Sequence, residues 1–171
     1  MAVLRTLSSA IDRVDEVVGE ASSWLVLFLV LVTITDVSLR YLFHAGSVAF
    51  QELEWHLYAA NFLIAAGWTM LRDGHVRIDI FYSRLGTRGQ AWIDLVGTLL
   101  FCIPFCIVVI LAARPFFMNA WSIGEGSPDP GGLPARYILK AAIPVGFGIV
   151  VVQSISQVLK ALFVLTGKEE S

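Results

Sequence analysis

Four stretches of the chain contain no Asp, Glu, Lys or Arg: residues 21–35, 55–71, 95–113 and 141–159. A helix that crosses a bilayer needs about 20 mostly apolar residues, within a range of roughly 17–25. The last two stretches reach that length unaided. The first two reach it if Asp36 and Glu54 stand at the membrane rim, where Arg40 can pair with Asp36 one turn on and Trp55 and Tyr58 suit an interface. The pattern predicts spanning helices near 22–42, 51–71, 92–113 and 138–160. The first run also has the charged leader and apolar core of a signal peptide. It is followed by Asp36-Val37-Ser38-Leu39-Arg40 without a small-x-small cleavage site, and is read as a retained span.

The connecting segments differ in kind. Leu4, Leu7, Ile11, Val14 and Val18 recur at steps of three and four, with Arg5, Asp12, Arg13, Glu16 and Glu20 around them. That predicts an amphipathic helix over 1–21, lying on the membrane surface or against a partner. In 72–91, His75, Arg77 and Asp79 alternate with Val76, Ile78 and Ile80 as in a strand, while Ile78, Phe81, Tyr82 and Leu85 have helical spacing. An isolated strand at a membrane surface would leave its backbone unpaired, so a short interfacial helix with snorkelling arginines is expected there. Between 114 and 137, seven Gly or Pro in the eleven positions 124–134 predict a stiff, turn-rich loop.

Composition supports a membrane class. The chain is 57% apolar and 15% charged, with mean hydropathy +0.74 and net charge −2. Soluble domains are about 45–50% apolar and roughly 25% charged, so a water-soluble enzyme is excluded, as are disorder and nucleic-acid binding. With 171 residues the chain makes one domain. Arg and Lys set its direction: eight fall in the N-terminal stretch, the 72–91 segment and the tail, and four (Arg40, Arg114, Arg136, Lys140) on the other side. Both termini are therefore expected in the cytoplasm, with 72–91 cytoplasmic and 114–137 periplasmic. The fold expected is an all-α integral membrane domain of four transmembrane helices with amphipathic interfacial helices.

Candidate chemistry is sparse. Cys102 and Cys106 stand four apart, which suits small core residues rather than a redox pair. His44 and His56 belong near one membrane edge and His75 near the other, which does not supply facing haem ligands. No catalytic group, metal or cofactor is expected. Asp36 has Arg40 and Glu52 has His56 at helical spacing, suggesting ion pairs at the rim. The sharper alternative makes Asp36, Glu52 or Glu54 the proton or cation site of a small self-sufficient exporter, which needs a carboxylate deep in a cavity. Asn61 is expected to bond between helices, and Pro104 and Pro144 to bend theirs. No inverted repeat of a carrier is evident.

Arg72-Asp73-Gly74-His75-Val76-Arg77-Ile78-Asp79, directly after the second run, resembles the signature of the small membrane subunit of tripartite ATP-independent periplasmic (TRAP) transporters, the DctQ-type or Q component. Glu52-Leu53-Glu54-Trp55-His56, Ala91-Trp92-Ile93-Asp94 and the loop from Glu125 to Pro134 are similar to the same family. The resemblance implies a non-catalytic subunit in the bacterial inner membrane. It would dock on a large permease subunit (the M component) that imports an organic solute with sodium, delivered by a periplasmic solute-binding protein. Glu52, Glu54, Arg72, His75, Arg77 and Asp79 are then candidates for a polar network, either to the partner or within this chain's own bundle. Arg77 offers five donors in a planar fork and Asp79 an acceptor two residues away.

Overall fold

The computed structural model describes residues 2–72 and 82–167, and regular structure there is entirely helical. His75, Arg77 and Asp79 lie outside the described residues. The chain runs through α1 (Ala2–Leu42), α2 (Val48–Ile64), α3 (Ala66–Leu71), α4 (Thr87–Ser122) and α5 (Tyr137–Leu165). By length and composition α1, α4 and α5 can each cross a membrane.

The helices overrun the charge-free intervals. The expected surface helix over 1–21 and span over 22–42 are one helix of 41 residues, about 60 Å long at 1.5 Å per residue. Nothing between them breaks a helix: Pro is absent, and Gly19 serves packing, since a Cβ there would lie 2.1 Å from Trp68 Cγ. The helix that holds the expected third span begins at Thr87 rather than 92, so the last residues of the expected 72–91 interfacial segment belong to a long helix. It also continues past Arg114 to Ser122, which shortens the expected 114–137 loop to the stretch between Ser122 and Tyr137. Charge marks where hydrocarbon would end, while a helix ends where its backbone bonding or packing fails; Phe116, Phe117 and Trp121 extend the packing of α4.

Two irregularities have local causes. Within α4, Thr98–Cys102 forms a π segment, with the Ile103 amide donating to the Thr98 carbonyl. Pro104 follows directly and supplies no N–H, so the preceding turn widens. Between α2 and α3 the helix breaks at Ala65 alone, and the Thr69 hydroxyl donates to the Ala65 carbonyl at 2.9 Å. Such back-bonding competes with the helical ladder and bends helices.

α5 is the central element. It packs against α1, α2, α3 and α4, whereas α4 packs chiefly on α5. Gly146 permits the α2 crossing, because a Cβ there would lie 2.5 Å from the Leu63 carbonyl oxygen. Buried Met70, Cys106 and Val150 form one apolar cluster, and Ala91, Leu95 and Ala161 a second. Many large apolar side chains point outward, among them Phe28, Phe62, Phe101 and Val108, while Asp36, Gln153, Ser154 and Ser156 are fully buried. That inversion suits a lipid surround.

Candidate docking surface and the polar ties behind it

At the end of the bundle expected to face the periplasm (the outer end below), Glu52 in the first turns of α2 holds the loop between α4 and α5. Its carboxylate accepts from the Ser127 hydroxyl at 2.5 Å and the Leu133 amide at 2.6 Å, with the Arg136 guanidinium 4.0 Å away. Gly132 makes the approach possible, since a Cβ there would lie 2.8 Å from Glu52 Oε2. Within the loop, the Ser127 amide donates to Leu133 and the Arg136 amide to Glu125. Lys140 pairs with Glu125 and lies 4.0 Å above the Phe116 ring, while Arg136 lies 5.3 Å above Trp55. Beneath these cations a groove of about 450 Å³ runs between α2, α4 and α5 over Leu63, Leu139 and Ile143.

The expected rim pairs fare differently. Asp36 and Arg40 do pair along α1. The expected Glu52–His56 pair is replaced: Glu52 turns to the loop, and His56 Nδ1 meets the Glu52 backbone carbonyl at 2.6 Å. The reason is competition, because two donors from the loop take the carboxylate oxygens while the His56 ring nitrogen is engaged by the backbone carbonyl. Glu54 Oε1 is buried and has no hydrogen-bond partner among the described residues.

A second cluster joins α1 to α5 at the opposite end, the inner one in the expected orientation. Asp12 accepts from Ser156 at 2.7 Å and Gln153 at 3.1 Å, and pairs with Lys160 at 2.7 Å; the Ser8 and Ser156 hydroxyls are 2.7 Å apart. Burial works against the ionised form of Asp12, but Lys160, Ser156 and Gln153 outweigh it and hold the carboxyl below its usual range. Asp15, one turn on, is buried beside Gly67, and its Oδ2 has no partner among the described residues. Burial, with the Asp12 charge nearby, pushes its carboxyl up to about 6. Arg72 pairs with Glu16 and lies over Trp68, tying the end of α3 to α1. Tyr82 donates to Asp94 at 2.7 Å.

Among the described residues, the candidates fall at two ends of the bundle. Glu52 and Glu54 stand at one end of the bundle and Arg72 at the other. The Asp12–Gln153–Ser156–Lys160 cluster was not among the candidates, though the sequence carried its signal. Ser8, Asp12, Asp15, Gly19 and Ser22 recur at steps of four and three, on the face about 100° round the helix from the apolar positions, and Gln153, Ser154, Ser156 and Gln157 crowd a charge-free run. The apolar stripe read over 3–20 does not form the contact with the bundle: Leu4, Leu7 and Val14 are exposed, Ile11 and Val18 are half-buried, and the polar stripe faces α5. Polar side chains bond across helices more favourably than apolar ones where lipid surrounds both.

This all-helical arrangement, with polar ties inside and apolar faces outside, can be compared with known families. The family model for tripartite ATP-independent periplasmic transporters, DctQ component, matches residues 29–164. The chain belongs to the DctQ family. The match runs from Leu29 in α1 to Val164 near the end of α5, so it covers the described helical bundle except the first two-thirds of α1. A comparison with curated proteins returns no match. DctQ membership makes the chain a component of a membrane transporter, consistent with a non-catalytic role. Among the described residues no group of three His, Cys, Asp or Glu side chains is placed to hold a metal ion.

Proposed function

We propose that the chain is the small, non-catalytic membrane subunit of a TRAP-type secondary transporter in the bacterial inner membrane. It docks on the large permease subunit and supports it during sodium-driven uptake of an organic solute, which a periplasmic solute-binding protein delivers. The DctQ match over residues 29–164 carries this reading.

In this reading the chain crosses the membrane four times, α2 and α3 together forming the second span, with both termini cytoplasmic. The uncharged intervals support it: Glu20 to Asp36, Glu54 to Arg72, Asp94 to Arg114 and Lys140 to Lys160 each subtend about 24–30 Å of helix, close to the roughly 30 Å hydrocarbon core. Trp24, Trp68 and Trp92 fall beside the inner charges, and Trp55 and Trp121 toward the outer ones, as interfacial aromatics do. Glu52 and Glu54 then belong to the periplasmic side. Arg72, with His75, Arg77 and Asp79, belongs to the cytoplasmic side as a contact to the large subunit or a tie within the bundle.

Reconstitution in liposomes with a sodium gradient tests the reading. Uptake is expected only when this chain, the large subunit and the binding protein are all present. Uptake by this chain alone would overturn it in favour of a self-sufficient carrier.

A further inference from the structure

α2 and α4 both pack on α5 but scarcely on each other, and the groove beneath Arg136 and Lys140 is the gap between them. It does not stop at the rim of the bundle. It shares Leu63 with a second, apolar recess of about 250 Å³ that runs on over Ala66, Cys106 and Val150. Val150 stands midway between Lys140 and Lys160, the two charges that bound the uncharged run of α5. The path from Lys140 to Val150 is about 15 Å, half of a hydrocarbon core of roughly 30 Å. With the lysines at the two rims, the recess follows one leaflet from its polar edge to its midplane.

A recess of this size within hydrocarbon is filled, because its lining otherwise forfeits its contacts. Its width decides by what. About 450 Å³, spread over the roughly 10 Å from Arg136 to Ile143, gives a cross-section of about 45 Å². A helix with its side chains is about 10–12 Å across and has roughly twice that section. One acyl chain enters where a helix does not.

The mouth adds a second requirement. The Arg136 guanidinium lies over Trp55 and 4.0 Å from Glu52, and it makes no hydrogen bond among the described residues. Its planar fork of donors suits a phosphate gripped through two oxygens. Lys140, one turn on, pairs with Glu125 and keeps donors to spare. Arg136 and Lys140 against Glu52 and Glu125 leave the mouth neutral. A headgroup with net negative charge would unbalance it, whereas one that carries an ammonium beside its phosphate would not, and Glu125 offers that ammonium an acceptor.

We propose that this groove binds one phosphatidylethanolamine molecule, with its phosphate on Arg136 and Lys140, its ammonium at Glu125 and one acyl chain along α5 as far as Val150. The lipid then completes the packing between α2 and α4. The inference goes beyond the subunit reading and needs only that α5 spans the membrane.

Native mass spectrometry of the full chain, purified in mild detergent from bacterial membranes, should show one retained phosphatidylethanolamine per chain. Ala59→Phe fills the groove and Arg136→Gln removes the fork; each should lower retention about tenfold with elution unchanged. Phe28→Ala, on an exposed face of α1, should retain the lipid as the wild type does. The delipidated chain should rebind dioleoyl phosphatidylethanolamine about tenfold more tightly than dioleoyl phosphatidylglycerol, and millimolar inorganic phosphate should not compete. In membranes, a benzophenone amino acid in place of Trp55 should join to phosphatidylethanolamine on irradiation. Equal retention by all four proteins, equal affinity for the two lipids, or joining of the benzophenone to another polypeptide would each overturn the proposal. If Ala59→Phe does not accumulate, Arg136→Gln and the titration carry the test.

Discussion

The Glu52 cluster and the Asp12–Asp15 cluster both take a carboxylate out of water, but they complete its surroundings to different degrees. At the outer end Glu52 uses both oxygens, one on the Ser127 hydroxyl and one on the Leu133 amide, and a loop 75–81 residues away in sequence is fastened to α2. At the inner end Asp12 is met by three donors, but Asp15 is not. Its Oδ2, with Trp68 Nε1 and the Oε1 atoms of Gln153 and Gln157, is buried without a hydrogen-bond partner among the described residues. A buried acceptor left unpaired is costly, and an ionised one more so. The outer cluster therefore acts as a fixed latch, and the inner one as a joint whose strength depends on the protonation of one residue.

Removing the latch should have the largest effect. Glu52→Ala leaves the Ser127 hydroxyl and the Leu133 amide without their acceptor and frees Arg136 from its nearest carboxylate. Limited proteolysis of the purified chain should then cut first between Ser122 and Tyr137, where the wild type resists, and the midpoint of thermal unfolding should fall. Glu52→Gln should restore most of the resistance, because its amide oxygen can accept from the Leu133 amide while its nitrogen donates to the Ser127 hydroxyl, and only the charge facing Arg136 is lost. Unchanged cleavage in Glu52→Ala would mean that the Gly- and Pro-rich loop holds its own shape.

At the inner end, Asp12→Ala should come next, at about 1–3 kcal/mol, the range for losing hydrogen bonds to a charged group. It removes the common partner of Ser156, Gln153 and Lys160 and loosens α1 from α5. Thermal unfolding in detergent reads the loss, and Ser156→Ala, which leaves the Lys160 pair intact, should cost less. Equal losses would show that the ion pair adds nothing to the hydroxyl bond.

The membrane class and the charge-free runs could be read from the chain because hydrocarbon excludes charge, and that constraint acts on each residue locally. Helix ends could not be read this way. Arg114 ends an apolar run but not α4, and Glu20 begins one but does not begin α1. The Asp36–Arg40 pair was legible because four residues on a helix fix a distance. The Glu52 latch was not, since its acceptors and donors meet only through the crossing of α2 and α5, and one donor is a backbone amide that no residue type announces. The α1–α5 contact is an intermediate case. Its polar stripe has helical spacing, but the apolar stripe beside it, read as a face for the membrane surface or a partner, leaves the tie to α5 unannounced.

The inner joint should respond to pH in a defined window. Asp15 has a folded-state value of about 6, above its ordinary 3.8, so the folded chain binds its proton more tightly than the unfolded chain does. Stability should therefore rise as pH falls from 7 through 6 toward 4. Asp12, held below its ordinary value, gives up its contribution only at lower pH, outside that window. Thermal midpoints of the wild type and Asp15→Asn across pH 4–7 test this by difference, since every other titratable group is common to both. The slope in this window should be smaller in Asp15→Asn. Parallel curves would show that Asp15 is already relieved of its charge, or already solvated, at neutral pH.

Arg72 supplies the smallest effect and the sharpest contrast with the buried ties. Its side chain is 57% exposed and that of its partner Glu16 46% exposed, and such surface pairs contribute about 0–1 kcal/mol. Arg72→Ala should lower the thermal midpoint of the isolated chain only slightly. A double-mutant cycle with Glu16→Ala should give a coupling within that range, diminishing further as salt is raised. The same variant, assayed for recovery of the large subunit, separates the two roles open to this arginine. A complex that is lost while the chain's own stability is kept assigns Arg72 to the partner contact. A complex that survives, with the small stability loss expected, leaves it as a tie between α3 and α1. In that second outcome Arg72→Lys should match the wild type in both measurements, because a single carboxylate at an exposed site does not require the guanidinium fork.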